Sequence, residues 1–100
     1  MIAQDNTTAN EAKVSIELTN EIGLHARPSV KLTQVTKRFS SRIEISTSGD
    51  GPWTDAKSPV KVMRMKALKG DMLHFRALGM DAGMAVSAVA DLVRRNFGEE

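Results

Sequence analysis

Residues 13–29 read KVSIELTNEIGLHARPS, and within this stretch the spacing of apolar residues changes. From Lys13 to Thr19 it is two, with Val14, Ile16 and Leu18 on one side and Ser15 and Glu17 on the other. That alternation predicts a half-buried β-strand. Asn20 to Leu24 then forms a turn containing Gly23, and from about Ala26 to Phe39 the spacing becomes helical. Ser29, Leu32, Val35, Thr36 and Phe39 share one face, while Lys31, Lys37 and Arg38 lie off it. Pro28 is placed near the start of this helix, where its missing N–H costs nothing.

Working outward, Ser41 to Ser46 (SRIEIS) is a second alternating strand with Ile43 and Ile45 inward. Thr47 to Pro52 (TSGDGP) is dense in turn formers and longer than a tight hairpin needs, so a mobile tip is expected there. A short return strand, Trp53 to Ala56, completes the hairpin. Ser58–Pro59 reads as an N-cap followed by proline at the first helical position. It opens a short helix from Pro59 to Met65, and Lys69–Gly70 closes the connection. Asp71 to Leu78 (DMLHFRAL) alternates again, with Leu73, Phe75 and Ala77 inward and His74 and Arg76 outward.

Asp81 to Phe97 is the clearest helix, with Ala82, Ala85, Val86, Val89, Leu92, Val93 and Phe97 in one apolar stripe. Its acidic start and basic last turn complement the macrodipole. The order is strand, helix, strand, strand, helix, strand, helix. Strands and helices that are each apolar on one side imply two layers. The expected fold class is α+β, an open-faced β-sandwich in which a four-stranded, mostly antiparallel sheet carries three helices on one face.

The chain has 100 residues, 41% of them hydrophobic and 26% charged, which suits one globular domain. Residues 1–12 are read as a loose N-terminal extension and 13–100 as the domain. With no cysteine, disulfides, thiolate zinc sites and cysteine nucleophiles are excluded. The N-terminal stretch lacks a basic region followed by an apolar one, and no apolar run is long enough for a bilayer; a cytoplasmic location without membrane insertion is expected. A net charge of +2 and four aromatics with no basic stacking series argue against nucleic acid. Two histidines on different elements, with no carboxylate cluster, make a metal site unexpected, and nothing calls for a cofactor. No long apolar patch is left over, so a monomer is expected.

GLHARPS, residues 23–29, carries the chemistry. His25 stands directly before the helix, whose first N–H groups have no intrahelical acceptor and carry partial positive charge. Ala26, Arg27, Ser29 and Val30 can supply such donors; Pro28 cannot. An anion carried on the imidazole would meet these donors and the planar fork of Arg27. Histidine suits reversible phosphoryl carriage because a neutral, nucleophilic ring nitrogen is available near neutral pH. Gly23 lets the turn follow a backbone path that a side chain would obstruct. As local physics alone, the stretch supports an anion site and no more; a histidine at a helix start also serves as an ordinary cap or surface residue.

With Asn20 before it, GLHARPS strongly resembles the active-site signature of the histidine-containing phosphocarrier (HPr) family of the bacterial phosphoenolpyruvate-dependent phosphotransferase system. Lys57–Ser58 and Lys69–Gly70 resemble further family features, and the resemblance runs from about Lys13 to Phe97. It implies a stoichiometric carrier rather than an enzyme. His25 would accept a phosphoryl group at Nδ1 from enzyme I, of the sugar or the nitrogen branch, and pass it to an enzyme IIA domain. Arg27 would contact the phosphate, helped by the Ala26 and Arg27 amides. Ser58 resembles the serine modified by the HPr kinase/phosphorylase, which gives an alternative reading as a regulatory protein acting through Ser58. The second helix would supply docking residues Pro59, Val60 and Met63.

Three positions depart from the family pattern. Ser29 stands where alanine is usual, and its hydroxyl is expected to satisfy the helix start. Residues 47–52 are longer than usual. Pro59 replaces a bulky apolar residue after Ser58, changing the surface a kinase would read. His74, outward on its strand, is read as a surface residue.

Overall fold

The computed structural model describes residues 10–98. Its elements are β1 (Glu11–Glu17), α1 (Ala26–Thr36), β2 (Arg42–Ser46), β3 (Thr54–Asp55), α2 (Pro59–Arg64), β4 (Met72–Leu78) and α3 (Ala82–Arg94), followed by a 3-10 turn (Asn96–Gly98). They form one four-stranded sheet in the order β1-β4-β2-β3, and every neighbouring pair is antiparallel. The open-faced sandwich expected from the apolar patterns is the architecture observed.

β4 is the last strand in the chain and sits between β1 and β2. Its Phe75 lies opposite Val14 on β1 and Ile45 on β2. Phe75, Leu73, Ala77, Ile43 and Ile45 are all buried on the helix-covered face, with Val14 and Ile16 packed against that core. Burying a side chain such as Phe75 contributes about 2–3 kcal/mol. The apolar stripe of α3 closes the layer, and every residue expected in that stripe is buried. Because β1 and β2 both run antiparallel to β4, they run parallel to each other, and α1 is the crossover between them.

Alternation places the strands well, but several boundaries shift. β1 begins at Glu11 rather than Lys13; residues 1–9 of the expected N-terminal extension lie outside the described residues. α1 stops at Thr36 rather than Phe39, because Arg38 N and Phe39 N turn back onto the carbonyls three residues earlier. Phe39 still packs against the core, and Lys57 Nζ donates to its carbonyl at 2.7 Å. β3 is only Thr54–Asp55, since Trp53 stacks on the Arg76 guanidinium at 4.2 Å instead of joining the ladder. α2 ends at Arg64, and Met65 packs against the core.

The largest correction is at the end of α3, which stops at Arg94 and not at Phe97. Asn96 and Phe97 adopt left-handed backbone, with φ of 56° and 58°. For Phe97 this costs about 1–2 kcal/mol, and burial of its ring to 2% exposure offsets the strain. The reversal also brings the Phe97 carbonyl within 3.0 Å of Lys31 Nζ on α1.

Candidate functional site

His25 is presented by a turn locked to the loop between α2 and β4. Gly70 N donates to Leu18 O and Leu18 N to Asp71 O, both at 2.8 Å, where β1 ends. Asn20 Nδ2 donates to Gly23 O at 2.7 Å, and Leu24 N donates to Ala67 O at 3.0 Å. Gly23 has φ of +86°, and a Cβ there would press into the Ala67 carbonyl. The glycine is therefore required twice, by its backbone conformation and by the close approach of a second strand of chain. Lys69 Nζ and Glu21 Oε2, 2.7 Å apart, join the same two turns at the surface. Their hydrogen bond and charges hold Glu21 below the usual carboxylate range and Lys69 above the usual amine range.

His25 is the N-cap residue of α1, with extended backbone (φ −81°, ψ −165°), and its side chain makes no cap hydrogen bond. The imidazole is half-buried, while Ala26 and Arg27 after it are exposed. Behind them the helix start is anchored inward. Pro28 and Ser29 are buried, Ser29 N donates to His25 O at 3.1 Å, and Ser29 Oγ donates to Leu24 O at 3.2 Å. Ser29 thus ties the α1 start to the preceding turn from the core side, but because its hydroxyl donates to a carbonyl it takes up none of the free N–H groups it was expected to satisfy. A shallow groove runs from Ala26 and Arg27 along Val30, Lys31 and Gln34 on the outer face of α1.

α2 packs against α1. Ser58 is its N-cap, and the Ser58 hydroxyl accepts a hydrogen bond from Lys61 N at 3.3 Å, with Pro59 at the first helical position. Val62 fixes the helix in the core, Val60 is 50% exposed, and Pro59 and Met63 are half-buried. Two exposed apolar residues escaped the sequence reading: Ile22 at 67% and Leu68 at 63% exposure. Leu68 follows Ala67, the residue against Gly23, so both flank the turn that carries His25. The available signal was an isoleucine inside an otherwise polar turn. His74 points to the open sheet face, where its Nδ1 lies 2.7 Å from Ser15 Oγ across the β1–β4 pair. It has no part in the His25 site.

The family model described as the PTS HPr component phosphorylation site matches residues 12–95. The chain belongs to the HPr family. Among HPr proteins, that of Neisseria meningitidis serogroup A is 38% identical over 87 residues, covering 87% of this chain and 96% of its own length. The structure of HPr-C-His from Thermoanaerobacter tengcongensis superposes with a TM-score of 0.81 at 36% identity, covering 89% of this chain and 98% of that one. The multiphosphoryl transfer protein of Salmonella typhimurium is 33% identical over 100 residues, but this chain spans only 27% of its length. Among the described residues no helix is long and apolar enough to cross a membrane.

Proposed function

We propose that this HPr-family chain is a phosphoryl carrier that receives the group on His25 from phosphorylated enzyme I and passes it to an enzyme IIA. The observation that carries the reading is the start of α1: the cap position is held by an imidazole that makes no cap hydrogen bond, with the exposed Ala26 and Arg27 next to it. In the acceptance step an imidazole nitrogen donates its lone pair to phosphorus. The N–P bond forms as the bond from phosphorus to its donor breaks, and that electron pair returns to the donor. The transferring group stays negative throughout, so the site's contribution is positioning and charge stabilisation. The Ala26 and Arg27 amides and the Arg27 guanidinium supply these from one side, and the partner supplies the rest. The chain is then consumed and regenerated stoichiometrically, with no catalytic turnover of its own, and works in the cytoplasm.

Enzyme I and IIA dock over α1 and α2, on Pro59, Val60 and Met63. The test is intact mass spectrometry after incubation with phosphoenolpyruvate, magnesium and enzyme I of each branch, with His25→Ala alongside. Gain of a single acid-labile phosphoryl group, absent from the variant, supports the reading and identifies the branch. No gain with either enzyme I overturns it.

The second reading is regulatory, with a kinase phosphorylating Ser58 and the phosphate altering partner binding. Its supporting observation is that the Ser58 hydroxyl sits at the start of a helix in the docking surface, where added negative charge is electrostatically tolerated. Incubation with an HPr kinase/phosphorylase distinguishes the two, since phosphoserine survives the acid that releases phosphohistidine.

A further inference from the structure

Residues 47–52, the segment longer than the family pattern, wall a cleft against α2. Ser46, Ser48, Gly51, Pro52 and Thr54 line it together with Lys61 and Arg64 of α2. Lys61 and Arg64 are three residues apart on one helix and so share a face. Neither forms an ion pair among the described residues, and no carboxylate lines the cleft.

The hydroxyls are equally one-sided. Ser46 Oγ accepts from Ser48 N at 3.0 Å, and Ser48 Oγ accepts from Asp50 N at 3.3 Å. Each serine is therefore engaged only as an acceptor, and its own proton is still available. The Ser46 residue is 2% exposed, so that donor is buried without a partner of its own. Thr54 makes no side-chain hydrogen bond among the described residues. The cleft offers hydroxyl donors and two cations with no competing acceptor side chain of full charge, which selects for an anion.

We propose that this cleft binds a dianionic phosphate group, free or carried on a small ester. Its oxygens lie between Lys61 and Arg64 and receive the protons of Ser46, Ser48 and Thr54. The site is separate from His25 and does not depend on phosphoryl carriage. It does share Lys61 with the Ser58 cap, because the backbone N–H of Lys61 is the one that Ser58 accepts. An occupant would therefore place negative charge beside the helix that carries the proposed docking residues.

The test is a residue-resolved amide NMR titration with inorganic phosphate and with glycerol 3-phosphate, against sodium chloride at matched ionic strength. Using the doubly substituted His25→Ala, Arg27→Ala protein removes any phosphate bound at the α1 start, so failure here is distinct from failure of the carrier reading. Saturable shifts at 46–54 and 61–65 are expected. Arg64→Gln should weaken half-saturation about tenfold, the worth of one charge-assisted contact, and Thr54→Val about threefold. Shifts elsewhere that match the parent protein show that both variants remain folded. Tighter binding of the ester than of inorganic phosphate would identify an ester ligand, and equal binding a free anion. Shifts that follow chloride, fail to saturate, or keep their midpoint in Arg64→Gln overturn the proposal.

Discussion

α1 and α2 pack against each other, each with a proline in its first turn, yet their starts are finished differently. At α2 the cap is filled: Ser58 takes up the N–H of Lys61 within its own chain. At α1 the cap residue is His25, whose side chain takes up none. A helix start carries donors that stabilise the fold when a side chain uses them and can hold a ligand when it does not. The comparison shows the same structural device put to opposite ends on two packed helices, with Ser29 securing the α1 start from behind so that its front can stay open.

The strongest way to break the comparison is His25→Ala. Phosphoryl loading should vanish completely while the melting temperature stays close to that of the parent, since no cap bond is removed. A large loss of stability would show that the imidazole was structural after all. Next in size is Gly23→Ala, which combines a positive-φ alanine with a clash against the Ala67 carbonyl. A loss of more than about 2 kcal/mol is expected in denaturant unfolding, together with impaired loading. An unchanged midpoint would mean that the two turns are not locked together.

Exchanging the caps sharpens the contrast. Ser58→Ala should cost about 1 kcal/mol and leave loading intact, whereas His25→Ser should gain up to about 1 kcal/mol by supplying the missing cap and abolish loading. If His25→Ser is no more stable than His25→Ala, the α1 start is not shaped to use a cap.

The smallest effect is confined to acid and concerns the third helix. Asp81 stands at the N-cap of α3, but its carboxylate makes no cap bond; it accepts instead from Ser41 Oγ, Ser40 N and Ser41 N. The Ser41 hydroxyl first, and then the Ser40 amide, lower its pKa from 3.8 to about 2. In that interval the unfolded chain binds more protons than the folded one, so stability falls as pH drops. The contribution is complete above about pH 4 and lost through about pH 2. Unfolding of Asp81→Asn followed between pH 5 and pH 2 should show a flatter slope than the parent; identical slopes would remove Asp81 from the account.

Asp81 also marks where the sequence stops being readable. An aspartate before an apolar stripe signals a helix start correctly, but not that its oxygens serve a segment forty residues earlier in the chain. Features set by neighbours in sequence were legible: the faces of β2 and β4, the Ser58 cap, the inward Ser29 and the turn through Gly23. Features set by distant partners were not. The Ala67 carbonyl that makes Gly23 obligatory, the stacking of Trp53 on Arg76 that shortens β3, and the reversal of Phe97 into the core all depend on tertiary packing that overrides local periodicity. The His25–Arg27 pattern was visible because its residues are consecutive. The exposed Ile22 and Leu68 beside it come from two separate turns and could not be joined by spacing.

The central place of β4 has a consequence for synthesis. As the chain leaves the ribosome, β1 and the β2–β3 hairpin emerge first, and neither can close a sheet with the other because the strand that bridges them is still to come. Every long ladder waits for residues 72–78. Until then the apolar faces of Ile16, Ile43 and Ile45 are without their partner, which is the interval in which the nascent chain is open to aggregation or to chaperone capture.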